Sequence, residues 1–179
     1  MKRSCKLRLA GNQIAETITN LYFKVETTEY LPVFRRLLNR AKELYPDSFQ
    51  LESLSGFFHT AGKNYEQALE SFLTVKERLE QNRDNQHYNF NLAVIWDTIA
   101  DCYLNLGDAV KTSESCDIAL SYLENAEVFI TGNTILYKKA EALLLLGEKD
   151  KALAIAKQLL EENEEDEKAR EIQERLVHS

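Results

Sequence analysis

Ile95-Trp96-Asp97-Thr98-Ile99-Ala100-Asp101-Cys102-Tyr103-Leu104-Asn105-Leu106-Gly107-Asp108 is the stretch that decides the fold. Its apolar residues recur every three or four positions, which is helical spacing. Leu106-Gly107 then ends the run, because glycine just past a helix adopts the left-handed backbone at little cost. The phrase returns as Leu136 through Leu146-Gly147-Glu148, and more weakly as Leu51 through Ala61-Gly62-Lys63. The three hinge glycines lie 45 and 40 residues apart. Repetition on that scale describes stacked helix pairs, each unable to bury its apolar faces alone.

Outward from the phrase, helical spacing continues almost throughout. Ile14, Ile18, Leu21, Tyr22 and Val25 form a first run, and Thr27-Thr28 offers a break. Val33, Phe34, Leu37, Leu38, Ala41 and Leu44 form a second, with Pro32 near its start and Pro46 past its end, as the missing N–H of proline requires. Helix pairs are predicted at Leu51–Ala61 with Tyr65–Leu79, at His87–Leu106 with Ala109–Leu123, and at Glu127–Leu146 with Asp150–Leu160. Gly132 falls inside the last pair's first helix, at a cost of roughly 1 kcal/mol relative to alanine, or else marks where that helix begins. Glu165–Val177 has one narrow apolar stripe and a charged back, which suits a helix capping the end of a stack. The expected units are residues 10–46, 47–85, 86–124 and 125–162 of a single domain, 1–179, with a capping helix at 165–177.

These units resemble tetratricopeptide repeats, a family of 34-residue helix pairs. The third unit carries the resemblance best, through Trp96, Ile99-Ala100, Tyr103, Leu106-Gly107 and Ala119-Leu120; Thr112 and Cys116 depart from the usual alanine and aromatic. Leu136, Ala140, Leu143, Ala152 and Leu160 carry it in the fourth unit, and Leu54, Phe58, Tyr65, Ala68 and Phe72 in the second. The first unit matches only in register, and the spacing is that of extended variants of roughly 40 residues. The resemblance implies an all-α fold: a right-handed superhelical array of about four antiparallel pairs and a capping helix.

The same resemblance places certain positions of each first helix on a concave groove. Carried over, they include Glu16, Phe23, Glu52, His59, Asp97, Asp101, Asn105, Tyr137 and Glu141. This set is acidic with apolar patches. Co-chaperone members of the family clamp a C-terminal carboxylate with cations in this groove, and carboxylates here would repel that ligand. Charge complementarity instead favours a basic or amphipathic peptide segment. The expected function is a protein-interaction scaffold. The alternatives are the peptide-sensing half of a regulator and a self-associating structural module such as a homodimer.

Composition bounds the rest. The 179 residues contain only six glycines and two prolines, and the net charge is −7. Residues 1–50 hold nine Lys/Arg against five Asp/Glu, whereas residues 51–179 hold 13 against 24. An acidic body lacks the clustered cations that nucleic acid requires. The basic start, with Lys2, Arg3, Lys6 and Arg8, reads as a solvated, partly frayed terminus. No apolar run follows it as a secretory signal would need, and none reaches the ~20 residues of a membrane span. Cys5, Cys102 and Cys116 lack metal-like spacing; Cys102 and Cys116 fall on apolar stripes, which suits reduced core thiols and the cytoplasm. His59, His87 and His178 are dispersed, and no phosphate loop, His-Glu-x-x-His run or Gly-x-Ser-x-Gly elbow occurs. No enzyme activity, metal or cofactor is therefore expected.

Overall fold

The computed structural model describes residues 2–25, 28–81, 83, 87–126 and 132–177, with the backbone alone given for 2–9, 23–25, 28 and 177. Among the described residues there are nine α-helices, one 3-10 turn at Thr28–Tyr30 and no strand. The helices are α1 Lys2–Val25, α2 Leu31–Leu44, α3 Phe49–Ala61, α4 Tyr65–Glu80, α5 Tyr88–Asn105, α6 Ala109–Glu124, α7 Asn133–Leu145, α8 Lys149–Glu162 and α9 Glu167–Val177. The chain divides into two compact units, residues 1–78 and 79–179.

Two helix starts differ from the sequence reading. The helical backbone begins at Lys2, ahead of the apolar run that opens at Ile14. Gly11 sits inside this helix because a Cβ there would lie 2.7 Å from Cβ of Ser48. The first helix of the fourth pair begins at Asn133, with Gly132 as the residue before it. Gly132 thus marks a start and spares the helix interior an unfavourable residue; Glu127, the expected start, lies outside the described residues.

In the first unit α1, α2 and α3 pack on one another. Ala15 and Ile18 of α1 meet Phe34, Leu38 and Ala41 of α2 and Leu51, Leu54 and Phe58 of α3 in one core. Tyr22, Phe34 and Phe58 form an aromatic cluster with centroids 5.2–6.1 Å apart. Ser48 caps α3 by accepting from the Leu51 amide at 3.4 Å, and its hydroxyl donates to Asn12 Oδ1 of α1 at 3.2 Å. α4 sits on α3 through Phe72, whose ring meets Phe57 at 5.2 Å and leaves no room for a side chain at Gly56.

In the second unit each helix packs on the next, and α5 also touches α7, and α7 touches α9. Ala100, Cys116, Ala119 and Ile135 form one core, supported by Trp96. Leu136, Ala140, Leu143, Ala152, Ile155, Ala156, Leu159, Ala169 and Ile172 form the next. Full burial of a side chain such as Leu159 is worth roughly 1.5–3 kcal/mol, so these cores carry the unit's stability. The two departures from the repeat pattern are accommodated there. Thr112 is fully buried, and its hydroxyl donates to the Asp108 carbonyl at 2.8 Å. Cys116 is fully buried, and burial, then the nearby Asp97, pushes its thiol up to about 12; the thiol is therefore an unreactive core group.

The Leu-Gly phrase ends α5 and α7 in the same way. Asp108 N–H donates to Tyr103 C=O at 2.9 Å and Gly107 N–H to Leu104 C=O at 3.1 Å. Glu148 N–H donates to Leu143 C=O at 2.8 Å and Gly147 N–H to Leu144 C=O at 3.0 Å. This is the Schellman pairing, and it needs a left-handed residue between the two donors' helix and the next; Gly107 and Gly147 supply it with φ of +80° and +76°. The α3–α4 turn makes the same bonds one residue later, Asn64 N–H to His59 C=O and Lys63 N–H to Thr60 C=O, both 2.9 Å. There Lys63 is left-handed, at φ +58°, and Gly62 has φ −89°. The expectation that Gly62 takes the left-handed backbone is thus corrected.

Candidate functional site

In the second unit, the contacts of α5 with α7 and of α7 with α9 align three helices whose facing side chains are charged. Asp97 and Asp101 stand one turn apart on α5. Lys138 of α7 reaches both, at 2.8 Å from Asp97 Oδ1 and 3.6 Å from Asp101 Oδ1, and its ammonium also donates to the Asp97 carbonyl at 3.3 Å. Asn105, exposed one turn beyond, donates to the Asp101 carbonyl at 2.8 Å. On α7 the next turn is taken up by α9. Arg175 holds Glu141 with two parallel bonds, of 2.7 and 3.0 Å. The Tyr137 hydroxyl donates to Asp166 Oδ2, and the Lys168 ammonium lies over the Tyr137 ring, 5.3 Å from its centroid.

The electrostatics follow from these contacts. Burial, then the hydrogen bond to Asp166, pushes the Tyr137 hydroxyl up to about 12, so it is a fixed donor. Burial raises the Asp166 carboxyl, but the Tyr137 hydroxyl and the Ala169 and Lys168 amides outweigh it and hold the group below its ordinary value. Asp166 also accepts from the Ala169 amide at 3.0 Å, which caps α9. One residue thus starts α9 and ties it to α7. Exposed ion pairs contribute about 0–1 kcal/mol each, so this ladder orders the face without carrying the fold.

The first unit holds four of the predicted residues. Glu16 is exposed on α1. Phe23 lies on the same helix, with its side chain outside the described residues. Glu52, in the first turn of α3, pairs with Lys42 of α2 at 2.8 Å. His59, in the last turn of α3, is half-buried; burial, then the charges of Arg35 and Lys42, hold its pKa below the ordinary value, with Glu52 and Glu70 opposing. Its Nδ1 is buried with no hydrogen-bond partner among the described residues. Arg35 spends its guanidinium on the Phe58 carbonyl, 3.1 Å away.

The sequence reading found the carboxylates and missed the cations that answer them: Lys42, Lys138 and Arg175. A signal was present. Asp97 and Lys138 are 41 residues apart, and Glu141 and Arg175 are 34 apart, so each acid faces a base about one repeat later. The reading also passed over an apolar surface. Leu106, Gly107, Asp108, Ala109, Val110, Leu145 and Leu146, where the two hinge phrases meet, line a shallow open cleft of about 620 Å³.

Among the described residues no group of three or more His, Cys, Asp or Glu is placed to hold a metal ion. No described helix is long and apolar enough to cross a membrane. No protein-family model matches the chain, and no curated protein matches its sequence.

Proposed function

We propose that the chain is a tetratricopeptide-like array, its helix pairs winding as a right-handed superhelix, that binds a protein or peptide segment in the cytoplasm. The observation that carries this reading is the charged face formed by α5, α7 and α9, in which the first helices of two successive pairs touch each other and the second of them touches α9. Within the second unit this face runs across three helices, as the binding face of a repeat array would. The paired glycine turns of the second unit support the repeat assignment, because the same hydrogen bonds recur 40 residues apart.

The ion pairs refine the ligand's chemistry. Lys138 occupies the place where a cation of the ligand would sit, and Asp101 is the acid it satisfies less well, at 3.6 Å and with its side chain 42% exposed. A basic or amphipathic segment therefore engages Asp101, with Asn105 beside it, and competes with Lys138 for Asp97. Charges at such a rim set selectivity more than raw affinity. Panning the full chain against a library of displayed random peptides tests this. Enrichment of Lys- and Arg-containing sequences is expected. A synthetic copy of the best binder should lose about five- to tenfold in affinity with Asp101→Lys and gain with Lys138→Ala. Enrichment without a basic bias, or affinities unmoved by both substitutions, would overturn the reading.

A further inference from the structure

α2 differs from the other helices that close a pair. Phe34, Leu38 and Ala41 bury one side of it in the first unit's core. The flank next to that buried side carries Val33, Leu37 and Leu44, which are 41, 48 and 53% exposed, interleaved with exposed Arg36 and Arg40. The corresponding exposed positions of α4 are Glu66, Gln67, Glu70 and Glu77, and those of α8 are charged, amidic or small. α6 exposes Val110 at its start and polar residues after it. A solvated second helix in this chain is thus polar outside, and α2 is apolar and basic.

We infer that the outward face of α2 is a docking surface for an acidic amphipathic helix of a partner protein. The spacing fits helix-on-helix packing. At 100° per residue, Val33, Arg36, Leu37, Arg40 and Leu44 fall within one stripe roughly 100° wide. Val33–Leu37 and Arg36–Arg40–Leu44 are neighbouring i, i+4 ridges, and the groove between them receives a ridge from another helix. From Val33 to Leu44 the stripe runs about 16 Å, or three turns of partner helix. The arginines set the partner's charge. Arg40 pairs with Glu43 at 2.6 Å, but both are largely solvated, so this contact yields readily to a partner carboxylate.

Two other occupants fit less well. A two-fold pairing of this face with itself sets arginine against arginine. Arg36, Arg40 and Glu43 leave a net charge of one, which at about 1 kcal/mol per cation is too little to hold an anionic bilayer. The inference does not depend on the charged face of the second unit, which lies on other helices.

Fluorescence anisotropy of labelled peptides with the full chain tests it. The probes are two designed helices of about 18 residues, one with leucine at i, i+4 and i+7 and glutamate between, the other with lysine in place of glutamate. Saturable binding of the glutamate peptide is expected, with little binding of the lysine peptide. Leu37→Asp should weaken it at least about tenfold, and Arg36→Glu with Arg40→Glu should invert the preference. These positions are exposed, and circular dichroism of each variant controls for folding. Absent or charge-blind binding overturns the proposal. So does sedimentation with vesicles of about 30% phosphatidylserine, or a concentration-dependent dimer, that the same substitutions abolish.

Discussion

The glycines of the first unit and the two turn glycines of the second do different work. In the first unit they make room: a Cβ at Gly11 would lie 2.7 Å from Ser48 Cβ, one at Gly56 2.5 Å from Phe72 Cε1, and one at Gly62 2.2 Å from Arg35 Nη2. In the second unit Gly107 and Gly147 have nothing within 4 Å of the same position and are required by φ alone. A glycine in the same sequence phrase thus answers to packing in one place and to backbone conformation in the other. The difference teaches that a repeated phrase repeats a hydrogen-bonding pattern and not the role of each letter in it.

The largest test of this contrast is Gly56→Ala. On propensity alone the change should favour α3 by nearly 1 kcal/mol. Phe72, however, is 1% exposed and its ring has three atoms within 2.9 Å of the new methyl. Overpacking a core costs about 1–3 kcal/mol, and the net expectation is a loss of up to about 2 kcal/mol in the first unit. Amide hydrogen exchange resolved by unit reads this as faster exchange in α3 and α4 with α7 and α8 unchanged. A stabilised α3 would show that the ring yields, and that Gly56 is not there for space.

Next in size are Gly107→Ala and Gly147→Ala. No atom obstructs the methyl at either place, so any cost is the left-handed backbone, about 1 kcal/mol for each. The loss should appear in the second unit and should be equal at the two turns within a few tenths. Urea titration of each single variant, followed by exchange at α5 through α8, measures it. A cost at Gly107 far above that at Gly147 would mean that the turns are not equivalent and would weaken the repeat reading.

This contrast also marks where the sequence was legible. Helix positions followed from apolar spacing, because a helix face is a local property; the second-unit turns followed from Leu106-Gly107 and Leu146-Gly147 for the same reason. The start of α7 at Asn133 was readable from Gly132 once the cost of an interior glycine was weighed. What escaped depends on neighbours distant in sequence. The acids Asp97 and Glu141 were visible, but Lys138 and Arg175 became their partners only through the stacking of α5, α7 and α9. Likewise nothing in the spacing of α2 says which of its two apolar stripes is buried: Phe34–Leu38–Ala41 is, and Val33–Leu37–Leu44 is not.

The smallest effects separate the two roles within one turn. Lys63 is the first-unit counterpart of Gly107 and Gly147, since it sits between the same two hydrogen bonds and carries φ +58°. A β-carbon in that conformation costs about 1–2 kcal/mol, and the glycine that would relieve it gives back roughly 0.5–1 kcal/mol in unfolded-state entropy. Lys63→Gly should therefore stabilise the first unit by about 0.5 kcal/mol. Gly62→Ala, one residue earlier, has no such strain, and the obstacle to its methyl is the end of a flexible arginine. Arg35 can swing away at the expense of its bond to the Phe58 carbonyl, so the loss should stay near or below 1 kcal/mol. The pair of variants, compared by urea titration, should thus move in opposite directions from adjacent positions. Destabilisation by Lys63→Gly would mean that the lysine side chain contributes to the turn something its backbone angle does not reveal, and the equivalence of the three turns would fail at the residue on which it rests.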